Sequence, residues 1–235
     1  MTNEIDWRIR ENQGCCLAGI QEGVEVLRKE AAQLDEPTYA SLVGLLQAAH
    51  HSCLNLQAGW RELDLPLLAW AARNSAETMI WTKFVTSSES NARRFYLDWL
   101  NDADEALTRA IELDRAEGTD LRGKYLDSDF DPTAPAKAQA HIAELRLKYQ
   151  SPSQRRLNLA KVAKEIGEDA VFVNLNPILS KLLHTTAYSV LSFPSGPARA
   201  GQALFILDRG FWTLIRVVGV IDAFLRRRNL TSILK

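Results

Sequence analysis

The chain has 235 residues, 46% hydrophobic and 24% charged, with 28 Lys+Arg against 29 Asp+Glu. That profile belongs to a globular protein and excludes an intrinsically disordered chain, a collagen-like repeat and a disulfide scaffold. A net charge of -1 and an isoelectric point near 6.4 supply no global reason to bind nucleic acid or an anionic membrane, so such a partner would need a local patch.

Twelve glycines and eight prolines leave long stretches without helix breakers, and apolar residues recur there at spacings of three and four. The expected fold class is therefore all-α: one helical domain, a bundle of about seven helices. The first helix is expected from Ile5 to Leu34, with Ile9, Leu17, Ile20, Val24 and Leu27 on one side and Gly14, Gly19 and Gly23 explained by close helix packing. Asp35-Glu36-Pro37 starts a second, ending near Trp60, and Asp64 with Pro66 caps a third that reaches about Val85. Ser88 or Ser90 caps a fourth, which stops before Gly118, and residues 117–135 read as a loop. A helix over Ala136–Tyr149 follows. Ser151-Pro152-Ser153-Gln154 then forms a capping box for a helix that stops at Gly167. Asn176-Pro177 is expected to open another, ending near Ser192, and a long C-terminal helix with a bend at Gly210 completes the chain.

Cysteine usage points to a reducing cytoplasm, because Cys15, Cys16 and Cys53 are too few for a disulfide framework or a four-ligand zinc cluster. The N-terminal segment is charged on both signs and lacks the apolar core of a signal peptide. Ala203–Leu225 is the most apolar region, but Asp208, Arg209, Arg216 and Asp222 interrupt it, so it reads as a packing helix and not a membrane span. Being apolar on more than one side, it also suits a homodimer interface. No cofactor motif or metal-ligand spacing is present: His50-His51 point about 100° apart on a helix, and Asp127-Ser128-Asp129-Phe130-Asp131 lacks the glycine and glutamate of a calcium loop.

Two constellations carry chemistry. On the third helix, Arg73 and Glu77 fall on the same side as Trp70, Ile80, Trp81 and Phe84, so an ion pair sits inside an aromatic stripe. Charges there are costly unless paired, which leaves a structural tie between helices or a polar group aimed at a ligand. On a later helix, Ser180, His184 and Tyr188 follow at i, i+4 and i+8 with Lys181 one turn from His184, forming a polar ridge opposite a leucine face. His184 has the chemistry of a general acid or base, Lys181 can hold an anion, and Ser180 or Tyr188 can orient the imidazole. The bland alternative is a histidine satisfied by an interhelical hydrogen bond.

Leu-Leu-Ala-Trp-Ala-Ala-Arg-Asn-Ser-Ala-Glu, then Asn-Ala-Arg-Arg-Phe-Tyr, Leu-Ala-Lys-Val-Ala-Lys-Glu-Ile-Gly and Leu-Ser-Lys-Leu-Leu-His-Thr-Thr, follow in an order that resembles a family of bacterial helical proteins known as a domain of unknown function. The resemblance runs from about Leu42 to Ser192 and centres on Arg-x3-Glu, carried by Arg73 and Glu77, and Ser-x3-His, carried by Ser180 and His184. More distantly the chain is similar to the HEPN superfamily of helical toxins, antiviral ribonucleases and nucleotide-binding modules. It departs from the HEPN ribonuclease signature, because Lys181 and Ser180, and not an arginine, precede His184.

The residues lead to the expectation of a cytoplasmic binding or regulatory protein whose polar interhelical cleft takes RNA or a phosphate-bearing ligand, and the family resemblance implies an association with stress or phage defence. A metal-independent ribonuclease using His184 with Arg73 or Lys181, and a purely structural oligomer, are the rival expectations. Basic runs at Arg93-Arg94, Arg155-Arg156 and Arg226-Arg227-Arg228 would serve RNA if they converge.

Overall fold

The computed structural model describes residues 2–117, 134–149, 156–183 and 197–234. Among them it contains eight α-helices, one short 3-10 turn and no strand, so the protein is all-α. The helices are α1 (Thr2–Lys29), α2 (Glu36–Arg61), α3 (Leu65–Ser87), α4 (Glu89–Glu117), α5 (Ala134–Tyr149), α6 (Leu159–Glu165), α7 (Asp169–Leu183) and α8 (Pro197–Arg227), with the 3-10 turn at Ala31–Gln33. No described helix is long and apolar enough to cross a membrane. The chain divides into two compact units, Met1–Ala92 with Asn158–Lys235, and Arg93–Leu157.

In the first unit the helix starts are chemical. The Asp35 carboxylate accepts a hydrogen bond from the Thr38 amide at 2.8 Å and Asp64 accepts one from Leu67 at 3.0 Å, each with a proline in the first turn. Helix α3 is buried on nearly every side and packs against α8, α2 and α7, which makes it the centre of the core. Its buried hydroxyls return to their own helix: Ser75 donates to the Ala71 carbonyl at 2.8 Å and Thr82 to that of Thr78 at 2.7 Å. These two hydroxyls are thereby buried with their hydrogen bonds made.

Close approach explains several glycines. A Cβ on Gly210 would stand 2.7 Å from both δ carbons of Leu56, so this glycine lets α8 lie against α2; α8 is one helix across the position. Gly19 and Gly23 likewise face Val218 and Leu46, whereas Gly14 faces nothing within 4 Å. At the chain's end, residues Thr231–Leu234 are held by two buried acids. Asp222 accepts from the Ser232 hydroxyl and the Ile233 amide, both at 2.7 Å, and from the Leu234 amide at 3.0 Å, while Glu30 accepts from the Thr231 amide and hydroxyl.

Two helix starts differ from the sequence expectation. Asn158, accepting from the Lys161 amide at 3.1 Å, opens α6, and residues 156–158 before it are not helical; the capping box at Ser151 lies outside the described residues. As expected, α6 ends at Gly167, whose φ of +72° needs no Cβ. Helix α7 begins at Asp169 and not at Asn176, and it runs through Pro177. Proline there removes one amide donor, and the position is exposed, so water can serve the released carbonyl of the preceding turn. The expected continuation to Ser192, and most of the loop expected at 117–135, lie outside the described residues; Glu117 closes α4, and Ala134 and Pro135 belong to α5.

The second unit pairs most of α4 with α5. Leu97, Leu100 and Leu145 are buried, Tyr96 meets Tyr149 edge-on at 5.7 Å between ring centres, and Arg146 bonds Asp104 at 2.8 Å. Asp98 accepts from the Leu157 amide at 3.0 Å, and burial nevertheless pushes its carboxyl above the ordinary range.

Candidate functional site

The ion pair expected on α3 forms. Arg73 Nε donates to Glu77 Oε1 at 2.8 Å, with both side chains about 30% exposed (32% and 28%). Arg73 Nη1 also reaches Ser180 Oγ on α7 at 3.3 Å, so residues 107 positions apart share one polar cluster. Three of the six candidate site residues are thus brought together. Lys181 is exposed, and His184 and Tyr188 lie outside the described residues. Of the expected aromatic stripe, Ile80 and Phe84 are buried, Trp81 is half-buried with its ring 6.1 Å from that of Phe84, and Trp70 is exposed.

The space beside this cluster is small. The cavity between α3 and α7, lined by Arg73, Glu77, Ile80, Phe172, Asn176 and Leu179, has a volume of about 10 Å³. One water needs about that much room, and Asn176 Oδ1, buried in its wall without a protein donor, is the kind of group a water serves. Among the described residues, then, the α3–α7 cluster is a closed contact between helices and not an open cleft. Its guanidinium is already committed to a carboxylate and a hydroxyl.

A second polar cluster escaped sequence reasoning. Glu168, in the turn between α6 and α7, is 5% exposed and accepts from three donors: Lys83 of α3, and Arg216 of α8 through Nη2 to Oε1 at 2.5 Å and Nη1 to Oε2 at 3.3 Å. Burial alone would raise its carboxyl pKa, but the bonds from Arg216 and Lys83 outweigh it and hold the group below the ordinary value. Arg216 in turn lies over the Trp212 ring at 4.5 Å. The partners are 85 and 48 residues from Glu168, so no local spacing announces them.

Asp222 behaves alike: burial opposes ionisation, yet the Leu234 and Ile233 amides, the Ser232 hydroxyl and Arg226 lower its pKa. Burial pushes the Cys16 thiol up to about 12, helped by its neighbours Cys53 and Cys15, and that of Cys53 up to about 11, which makes both poor nucleophiles.

The C-terminal basic run is occupied locally. Arg226 bonds Asp222 and the Leu234 carbonyl, Arg228 bonds Glu89 at 2.6 Å and lies over the Phe224 ring, and Arg227 points to the Thr86 carbonyl at 3.4 Å. Arg156 pairs with Asp102 and Glu105 in the second unit, and Arg155 lies outside the described residues. Among the described residues no group of His, Cys, Asp and Glu is placed to hold a metal ion. Two open grooves exist in the first unit, one of about 690 Å³ between α1 and α2 beside His50 and His51, and one of about 520 Å³ between α1 and α8. Compared with protein-family models, curated proteins and solved structures, the chain matches none, so the two resemblances rest on its motifs alone.

Proposed function

We propose that the protein is a non-enzymatic helical binding protein that acts in the cytoplasm and associates with a second copy of itself, its polar cluster on α3 and α7 serving as a tie between helices. The observation that carries this reading is the surface of α8: Phe205, Trp212 and Ile215 are 48%, 43% and 49% exposed along one helix. Large apolar side chains grouped on an exposed helix face are the mark of an association surface. The polar cluster weighs the same way, since a guanidinium bonded to Glu77 and Ser180 beside about 10 Å³ of space has little to offer a phosphate. Sedimentation equilibrium over a wide concentration range tests the reading. Reversible dimerisation is expected, and a chain that stays monomeric at the highest concentration overturns it.

One observation favours a second reading, a HEPN-like metal-independent ribonuclease with an RNA or phosphate-bearing substrate. Arg73 reaches α7 at Ser180, four positions before His184 in the sequence, where the resemblance lacks a cation. That reading predicts cleavage of labelled RNA in EDTA, lost in His184→Ala with the fold retained. Absence of cleavage at high protein concentration refutes it.

A further inference from the structure

Three side chains of the protein are thiols, and two of them face each other across α1 and α2. These helices follow one another through the short 3-10 turn and pack together, which makes them antiparallel neighbours. Gly23 fixes their register, because a Cβ there would stand 3.1 Å from Leu46 Cδ1. Seven residues before Gly23 on α1 is Cys16, and seven residues after Leu46 on α2 is Cys53. Seven residues make almost two full turns, about 10 Å of helix, so both steps return to the facing side and run the same way in space. Cys16 therefore stands opposite Cys53, with Ile20 and Ala49 as the layer between, and all six residues are buried. We propose that Cys16 and Cys53 are a redox pair: hydrogen peroxide converts the two thiols into a disulfide that locks α1 on α2, and a thiol reductant releases it.

Small residues bring the bond within reach. Gly23 and Ala49 on the facing sides let the helices approach closely, and axes about 8 Å apart place facing Cα atoms in the range a disulfide spans. Both thiols are free, and an ionised Cys53 opposes ionisation of Cys16, as neighbours must. The oxidation balances within the pair. One thiolate attacks a peroxide oxygen: the O–O bond breaks, an S–O bond forms, and the departing hydroxide takes up the thiol's proton as water. The second sulfur then attacks the sulfenic sulfur, the S–O bond breaks as the S–S bond forms, and the second hydroxide leaves as water with the second proton. Each sulfur loses one electron and the peroxide gains two. Burial sets the rate. With pKa values pushed up to about 12 and about 11, nearly all molecules hold both groups as unreactive thiols at neutral pH, so the pair answers to sustained oxidation and not to a brief exposure.

The test is prolonged treatment of Cys15→Ser with hydrogen peroxide under native conditions. That variant leaves only these two thiols in the chain, and Cys15 is exposed, so the fold is kept. Wild type whose Cys15 has first been alkylated reports on the same pair without a substitution. The expected product has lost two hydrogens in mass and both titratable thiols together, runs as a single chain on a non-reducing gel, and keeps its helical circular dichroism. Its thermal midpoint rises by about 10 °C, because the bond closes the whole α1–α2 hairpin into a loop, and dithiothreitol reverses the shift. The rate of joining rises about tenfold per pH unit from about pH 7 to 9, since only the thiolate reacts. Thiols that survive the treatment in the folded chain, that gain oxygen without joining, or that join only between chains overturn the proposal, as does a joined chain that melts below the reduced one.

Discussion

Replacing Glu168 by glutamine probes the cluster that joins three parts of the first unit. The carboxylate is 5% exposed and holds Lys83 from α3 and Arg216 from α8, so the amide leaves two cations with their shared counter-charge gone. Breaking a buried pair from one side costs about 3–5 kcal/mol. Here the side chains of Lys83 and Arg216 are 30% and 26% exposed, so water recovers part of that and the expected loss is about 2–3 kcal/mol.

Urea unfolding measures it. The assay is cleanest in a Trp99→Phe background, because the other five tryptophans (positions 7, 60, 70, 81 and 212) belong to the first unit and their fluorescence then reports that unit alone. With a slope of about 2 kcal/mol per molar, the midpoint falls by about 1 M. The pH dependence gives an independent check. The folded carboxyl pKa is lowered from 4.5, so its contribution is whole above that value and disappears as pH falls through the folded one. The gap between parent and Glu168→Gln therefore narrows on acidification. A gap under about 0.5 kcal/mol at neutral pH, or one that stays constant down to about pH 3, refutes the assigned role.

The thiols should separate cleanly by reactivity. Cys15 is exposed and titrates with a disulfide reagent at once in native protein, whereas Cys16 and Cys53 react only on unfolding, and comparable rates for all three would contradict their burial. Two glycines of α2 should respond oppositely to alanine. At Gly59 a Cβ would stand 2.9 Å from Leu68 Cγ and 3.0 Å from its backbone nitrogen, giving a loss of about 1–3 kcal/mol, while exposed Gly44 faces nothing within 4 Å and should gain about 0.5–1 kcal/mol in thermal unfolding. For Arg73, a double-mutant cycle with Glu77→Ala should return a coupling of about 0.5–1 kcal/mol, since both side chains keep roughly a third of their surface in water; a value near zero would show that this pair adds no stability.

What the sequence revealed follows how far apart the interacting residues are. Asp35 and Asp64 cap their helices through amides three residues on, and Gly167 stops α6 by its own backbone angle, so these features were legible in windows of a few residues. The Arg73/Glu77 pair was legible for the same reason, being one helical turn apart. Pro177 misled, because a proline after an asparagine is also how helices begin. The governing signal was the chain turn at Gly167 and Glu168, where the Phe172 amide bonds back to the Glu168 carbonyl at 3.2 Å. Glu168 itself carried no local mark, and the buried acids Glu30 and Asp222 were equally silent, with partners up to 201 residues away.

The two polar clusters on α3 differ in what they fix. Arg73 reaches α7 near that helix's end at Ser180, and Lys83 reaches Glu168 just before its start, so α3 holds α7 at both ends along one shared face. The apolar residues between them, such as Ile80 and Leu179 around the small cavity, would tolerate sliding by a turn at modest cost, because methyl groups meet methyl groups in either position. Charges do not: a one-turn slip would carry Glu168 about 5 Å from Lys83 and Ser180 equally far from Arg73. The net energy of such pairs is small, and their effect is on register, since every displaced arrangement leaves a half-buried ion without its partner. By this argument Glu168, which no sequence motif marked, aligns the start of α7 on the central helix, and of the motifs that looked most like an active site it is the Arg73–Ser180 hydrogen bond that helps to align its end.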